Sequence, residues 1–166
     1  MGNYSNIDLD FVFSSYKLSD NSIVSVQIWD TPGQDRFKSI VENSLKKADS
    51  IILIYDISNK YSFNKCKNYC LEAIKKLCKD NIKVMLIGNK KDLEYERQIS
   101  FEEANDFALT NNYIYMETSC LKNENVYEAV EKTIEITVNE KKKEKEKENE
   151  LQLREKIIKE NECNLI

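Results

Sequence analysis

Trp29-Asp30-Thr31-Pro32-Gly33-Gln34-Asp35-Arg36-Phe37 directly follows the alternating run Ile23 to Ile28. A strand that ends on an Asp and turns through a Gly sets a carboxylate and a free backbone N–H at one sheet edge, where a metal-bound phosphate can sit. Gln34, next in line, is placed to orient a water there. Taken alone, a strand followed by Asp-x-x-Gly is an ordinary strand-to-loop turn. Two further stretches repeat the plan. Lys83 to Gly88 is a short apolar run ending in Asn89-Lys90-Lys91-Asp92, and Tyr113 to Met116 is another ending in Glu117-Thr118-Ser119-Cys120.

In this order, each at the carboxyl end of its own strand, the three motifs resemble those of the Ras-like small GTPases. Trp-Asp-Thr with Gly-Gln is most similar to the Rab branch. The resemblance implies that Asp30 reaches Mg²⁺ through water, that the Gly33 N–H contacts the terminal phosphate, and that Gln34 positions the attacking water. It implies that Asn89, Lys90 and Asp92 read guanine and that Ser119 and Cys120, with Lys122, support the base. Asp92 can accept from both the ring N–H and the exocyclic amine of guanine, which adenine cannot supply. Leaving that carboxylate unpaired costs on the order of 1–3 kcal/mol. Leu121 stands where the family has a Lys, with Lys122 one step late.

The fold expected is α/β: a P-loop NTPase-like (Ras-like) doubly wound, mostly parallel sheet with one antiparallel edge. Leu9 to Leu18 and Ile23 to Trp29, joined across Ser19-Asp20-Asn21-Ser22, read as an antiparallel hairpin. Phe37 to Ala48 reads as a mobile switch helix. Ser50 to Ile57 is apolar on both faces, the signature of a central parallel strand. Phe63, Cys66, Cys70, Ile74 and Leu77 share one helical face. Ser100 and Glu103 form a capping box for a helix to about Asn111, with Phe101, Ala104, Phe107 and Ala108 inward. Val126, Ala129, Val130, Ile134 and Val138 mark the last domain helix. The incomplete domain is expected over residues 1–139 and a charged tail over 140–166.

Composition narrows the function classes. The 166 residues hold 25 basic and 29 acidic side chains, a balance that argues against general nucleic-acid binding. With no histidine, His-based triads and zinc sites with His ligands are excluded. Five cysteines without a signal peptide read as reduced thiols, and Cys66 with Cys70 as packing residues. Met1 to Asn6 departs from a myristoylation signal at Asn6. The tail from Glu140 to Glu162 balances eight basic residues against eight Glu and reads as a solvated helix extension or a tether. It stops at Cys163-Asn164-Leu165-Ile166, which resembles a prenylation box.

Only Gly2, Gly33 and Gly88 are present, and none opens Gly-x-x-x-x-Gly-Lys-Ser/Thr. Judged by likeness, the chain begins inside the first switch, lacking the first strand, the phosphate loop and the first helix, roughly forty residues. Asn6 stands where the family's Mg²⁺-binding Thr precedes Ile7-Asp8-Leu9-Asp10-Phe11. A sheet without its first strand leaves ladder groups unpaired on the strands ending at Trp29 and near Ile57. The resemblance implies GTP/GDP and Mg²⁺ as ligands, bound poorly by the chain as written. It also implies effectors, exchange factors and GTPase-activating proteins as partners, through Phe11, Trp29 and residues 31–48. A prenyl-binding chaperone and residence in the cytosol and on the cytoplasmic face of intracellular membranes complete the expectation. Two other readings stand beside it: a nucleotide-free interaction protein, and a coiled-coil adaptor, which Leu151, Leu153, Ile157 and Ile158 do not support with sustained heptads.

Overall fold

A computed structural model of the chain describes residues 11–31 and 38–163 and, in the final helix, side chains as far as 156. The first two strands, β1 (Phe11–Lys17) and β2 (Ile23–Trp29), form the expected hairpin, in register from Phe11↔Trp29 to Lys17↔Ile23. Its turn is held by Asn21 at φ 64°, a left-handed position that Asn tolerates, and by Asp20 Oδ1, which accepts from Ser22 N at 2.9 Å.

Helix α1 (Lys38–Leu45) follows, ending before the expected 48 while Phe37 lies outside the described residues, and then β3 (Ser50–Asp56). β4 (Lys83–Asn89) and β5 (Ile114–Glu117) complete a parallel sheet of order β3-β4-β5. β4 is the central strand, and its side chains divide between two layers. Leu86 enters a cluster with Tyr55, Ile57, Phe63, Cys66, Ile99, Ala104 and Ala108, while Met85 and Ile87 meet Ala129 on the other face. Helices on both faces of a parallel sheet give the doubly wound plan.

β3 differs from the central position its sequence predicts. Among the described residues it pairs only with β4, β2 pairs only with β1, and the two sheets share no hydrogen bonds. Ile54 on β3 is 57% exposed. The strand is apolar enough for two neighbours and, among the described residues, has one.

The helical face from Phe63 to Leu77 is carried by α2 (Lys60–Lys65), a π turn over Cys66–Cys70, and α3 (Leu71–Leu77). From Cys66 to Ile74 a regular helix would rotate about 80° out of phase. The wider turn restores the phase, so Phe63, Cys66 and Ile74 are all buried. The neighbouring Cys70, and then burial, push the Cys66 thiol well up, which fits packing and not reactivity.

Helix α4 (Phe101–Thr110) starts at Ser100, whose Oγ accepts from Glu103 N at 3.0 Å. The Glu103 carboxylate lies 3.8 Å from Lys67, so only half of the capping box is described. Phe101, expected inward, sits at the helix start, 49% exposed, and leans on the Tyr115 ring. Helix α5 (Val126–Cys163) runs unbroken through positions 139 and 140. Among the described residues no helix is long and apolar enough to cross a membrane.

Candidate functional site

The carboxyl ends of β4 and β5 lie side by side because Met85↔Ile114 and Gly88↔Glu117 set a parallel register. That register brings Asn89-Lys90-Lys91-Asp92 against Thr118-Ser119-Cys120. The backbones lock first: Thr118 N donates to Gly88 O at 3.0 Å and Lys91 N to Thr118 O at 3.0 Å. Side chains then fix the polar ends. Thr118 Oγ1 at 3.1 Å and Cys120 Sγ at 3.5 Å both donate to Asn89 Oδ1. Ser119 Oγ donates to Asp92 Oδ1 at 2.5 Å and accepts from Lys122 N at 3.1 Å. Asn89 Nδ2 and Asp92 Oδ2 have no partner among the described residues, leaving the amide NH₂ group and one carboxylate oxygen unspent.

Lys90 is the pivot. It sits in the left-handed region, φ 65° and ψ 39°, at the entrance to a 3₁₀ turn over Lys91–Glu96. Its Nζ lies 2.6 Å from Asp56 Oδ2 at the end of β3. Burial raises the Asp56 carboxyl, but Lys90 and two bonds from Ser58 more than offset it and hold it below the ordinary carboxylate value. Asp56 in turn raises Lys90. The sequence motif alone missed Asp56. Its register with Asn89 is the signal that places it beside the loop.

A second layer supports both loops. Glu117, 8% exposed, accepts from Arg97 at 2.7 and 2.9 Å and from the Tyr115 hydroxyl at 2.7 Å. Tyr115 shares a 2.8 Å bond with the Tyr55 hydroxyl. Gly88 is required beneath this pair, since a Cβ there would lie 2.9 Å from each tyrosine oxygen. Burial pushes Tyr55 up to about 12. Arg97 was missed as well, because nothing in its sequence neighbourhood marks a partner twenty residues away.

Of the expected site residues, Asn89, Lys90, Asp92, Ser119, Cys120 and Lys122 are therefore gathered at one end of the parallel sheet. Asp30 follows β2, exposed, on the separate hairpin sheet. Gly33 and Gln34 lie outside the described residues. Cys163 is at the end of α5, its side chain outside them. Among the described residues no group of three or more acidic, Cys or His ligands could hold a metal ion, so a Mg²⁺ site at Asp30 needs further donors. Phe11 and Trp29 stack with ring centroids 5.2 Å apart and stay largely exposed on the hairpin.

The Ras family matches residues 3–139, and with this fold and paired loops the chain belongs to that family, on its Rab branch. It is 42% identical to the Ras-related protein Rab-4A of Danio rerio over 109 residues, 66% of this chain and 51% of that protein. It is 41% identical to the Homo sapiens Ras-related protein Rab-4B over 116 residues, 70% of this chain and 54% of the relative. The chain thus spans about half the length of the curated relatives it matches.

Proposed function

We propose that this chain is the base-recognising part of a Rab-like small GTPase, a guanine-nucleotide switch of vesicle and protein transport. The observation that supports it is the locked pair of loops. Asn89 and Asp92 are each held from behind by the 118–120 loop, with the Asn89 NH₂ group and an Asp92 carboxylate oxygen left over. Guanine offers the complementary set, an acceptor ring nitrogen for Asn89 and two N–H donors for Asp92. Adenine lacks those donors.

In this reading Lys90 lies along the base, Asp30 holds Mg²⁺ through water, the Gly33 N–H meets the terminal phosphate and Gln34 orients the attacking water. Mg²⁺ would neutralise phosphate charge in the transfer step. Effectors, exchange factors and GTPase-activating proteins would read Phe11, Trp29 and residues 31–48, and a prenyl chain on Cys163, handed over by a prenyl-binding chaperone, would anchor the tail. Gly-x-x-x-x-Gly-Lys-Ser/Thr is not among these 166 residues, so in this reading the base-side loops carry most of the binding.

Calorimetry with GMP, GDP, GTP and ADP tests this. Weak binding with guanine preferred over adenine by roughly 5–150-fold, from about 1–3 kcal/mol, is expected, with GMP and GDP alike. Asp92→Asn, which replaces an acceptor by a donor, should erase the preference. Tight, Mg²⁺-dependent GTP binding would show that the chain grips phosphate after all. No preference between guanine and adenine would favour the second reading, a nucleotide-free interaction protein, which the edges of β2 and β3, unpaired among the described residues, support.

A further inference from the structure

Where α5 leaves the domain, three successive residues are tied to three different places. Glu140 lies 3.3 Å from Lys83 at the start of β4, Lys141 is 2.6 Å from Asp49 before β3, and Lys142 is 2.8 Å from Asp20 at the hairpin tip. Beyond this collar every described side chain to residue 156 is exposed, yet the helix continues to Cys163. A helix without tertiary packing must hold itself up.

The sequence supplies the means. Residues 143–163 contain neither Gly nor Pro. Opposite charges recur three or four apart, as in Lys143 and Glu146, Glu144 and Lys147, Lys145 and Glu148, and Glu150 and Arg154. Each such pair adds about 0.2–0.5 kcal/mol to a solvated helix. The costly step of helix formation, nucleation, is already met inside the domain, where Ala129, Thr133 and Ile134 are buried, so the extension only propagates. Leu151 and Leu153 are two apart and both exposed, which does not make a packing seam.

We infer that residues 143–163 form a self-supporting, charge-laced helix, rooted by the 140–142 collar, that acts as a fixed-length spacer between the domain and its C-terminal segment. At 1.5 Å per residue its 21 residues reach roughly 30 Å. The spacer does not depend on the nucleotide reading. If Cys163 carries a lipid, the helix sets the greatest distance of the domain from the bilayer at roughly 30 Å, more than three Debye lengths of about 8 Å.

Inserting a second copy of residues 143–153 into the full chain tests it by small-angle X-ray scattering and amide exchange. A helical spacer lengthens the particle by about 16 Å, with residues 144–156 protected from exchange. A flexible coil, spanning about 5–6 Å times the square root of its length, would extend by only about 6 Å with no protection, which overturns the proposal. The collar is read separately by residual dipolar couplings. Couplings of residues 144–156 should fit the domain's alignment, lose that fit when all three pairs are reversed in Glu140→Lys, Lys141→Glu and Lys142→Glu together, and regain it when Lys83→Glu, Asp49→Lys and Asp20→Lys are added. An unchanged fit in the triple variant would remove the collar from the proposal.

Discussion

Replacing Arg97 with Met keeps the aliphatic stem and deletes the charge that Glu117 depends on. In the native chain the guanidinium, 16% exposed, gives Glu117 two hydrogen bonds and Ile99 O one at 3.0 Å, and pairs with Glu94 at 2.6 Å. Glu117, then Glu94, hold the guanidinium firmly protonated. The Glu94 side chain is 59% exposed, so that pair contributes about 0–1 kcal/mol. The Glu117 pair decides the outcome. Stripping one partner from a buried pair costs about 3–5 kcal/mol, and water at the Arg97 edge places this case near the lower end. A loss of about 3 kcal/mol should lower the melting temperature by roughly 6–12 °C in a chain of this length.

Urea denaturation followed by far-ultraviolet circular dichroism measures the change. The double variant Arg97→Met with Glu117→Gln should fall short of the summed single losses by about 1.5–3 kcal/mol, because the amide no longer strands a charge. A single-variant loss below about 1 kcal/mol, or strict additivity, would refute the assignment of Glu117 as a buried, Arg97-dependent anion.

Gly88→Ala should cost about 1–3 kcal/mol through overpacking against the two tyrosine oxygens, and Tyr115→Phe in the same chain should recover part of it; chemical denaturation of the three variants checks this. Asp56 has a depressed folded-state pKa, so its contribution to stability is present above the unfolded value of 3.8 and is lost as pH falls through the folded one; the stability profile of Asp56→Asn should be flatter on that acid limb. Tyr55, raised to about 12, contributes stability that is complete below pH 10 and lost between about 10 and 12, and spectrophotometric titration should show late-ionising tyrosines that titrate together with unfolding. Ser119→Ala removes the bond to Asp92 Oδ1 and should weaken guanosine monophosphate binding while leaving thermal stability within about 1 kcal/mol, read by calorimetry and thermal melts.

The local code of this chain was legible in its sequence. Strand periodicity placed the hairpin, apolar runs placed β3 and β4 as parallel strands, and Ser100 placed the start of α4, because alternation, burial and capping act within a few residues; the central place, expected of β3, went to β4 in the described sheet. The motif residues Asn89, Asp92 and Ser119 were legible for the same reason, each standing at the end of an apolar run. Tertiary structure alone decided the partners. Asp56 meets Lys90 through the β3–β4 register, Arg97 meets Glu117 across twenty residues, and Tyr55 meets Tyr115 across sixty. Those contacts depend on which strands lie side by side and in what register, a choice made by the packed sheet as a whole. The tail shows the same division: composition allowed either a helix or a tether, and the continuous α5, rooted by ion pairs to three distant elements, selected the helix.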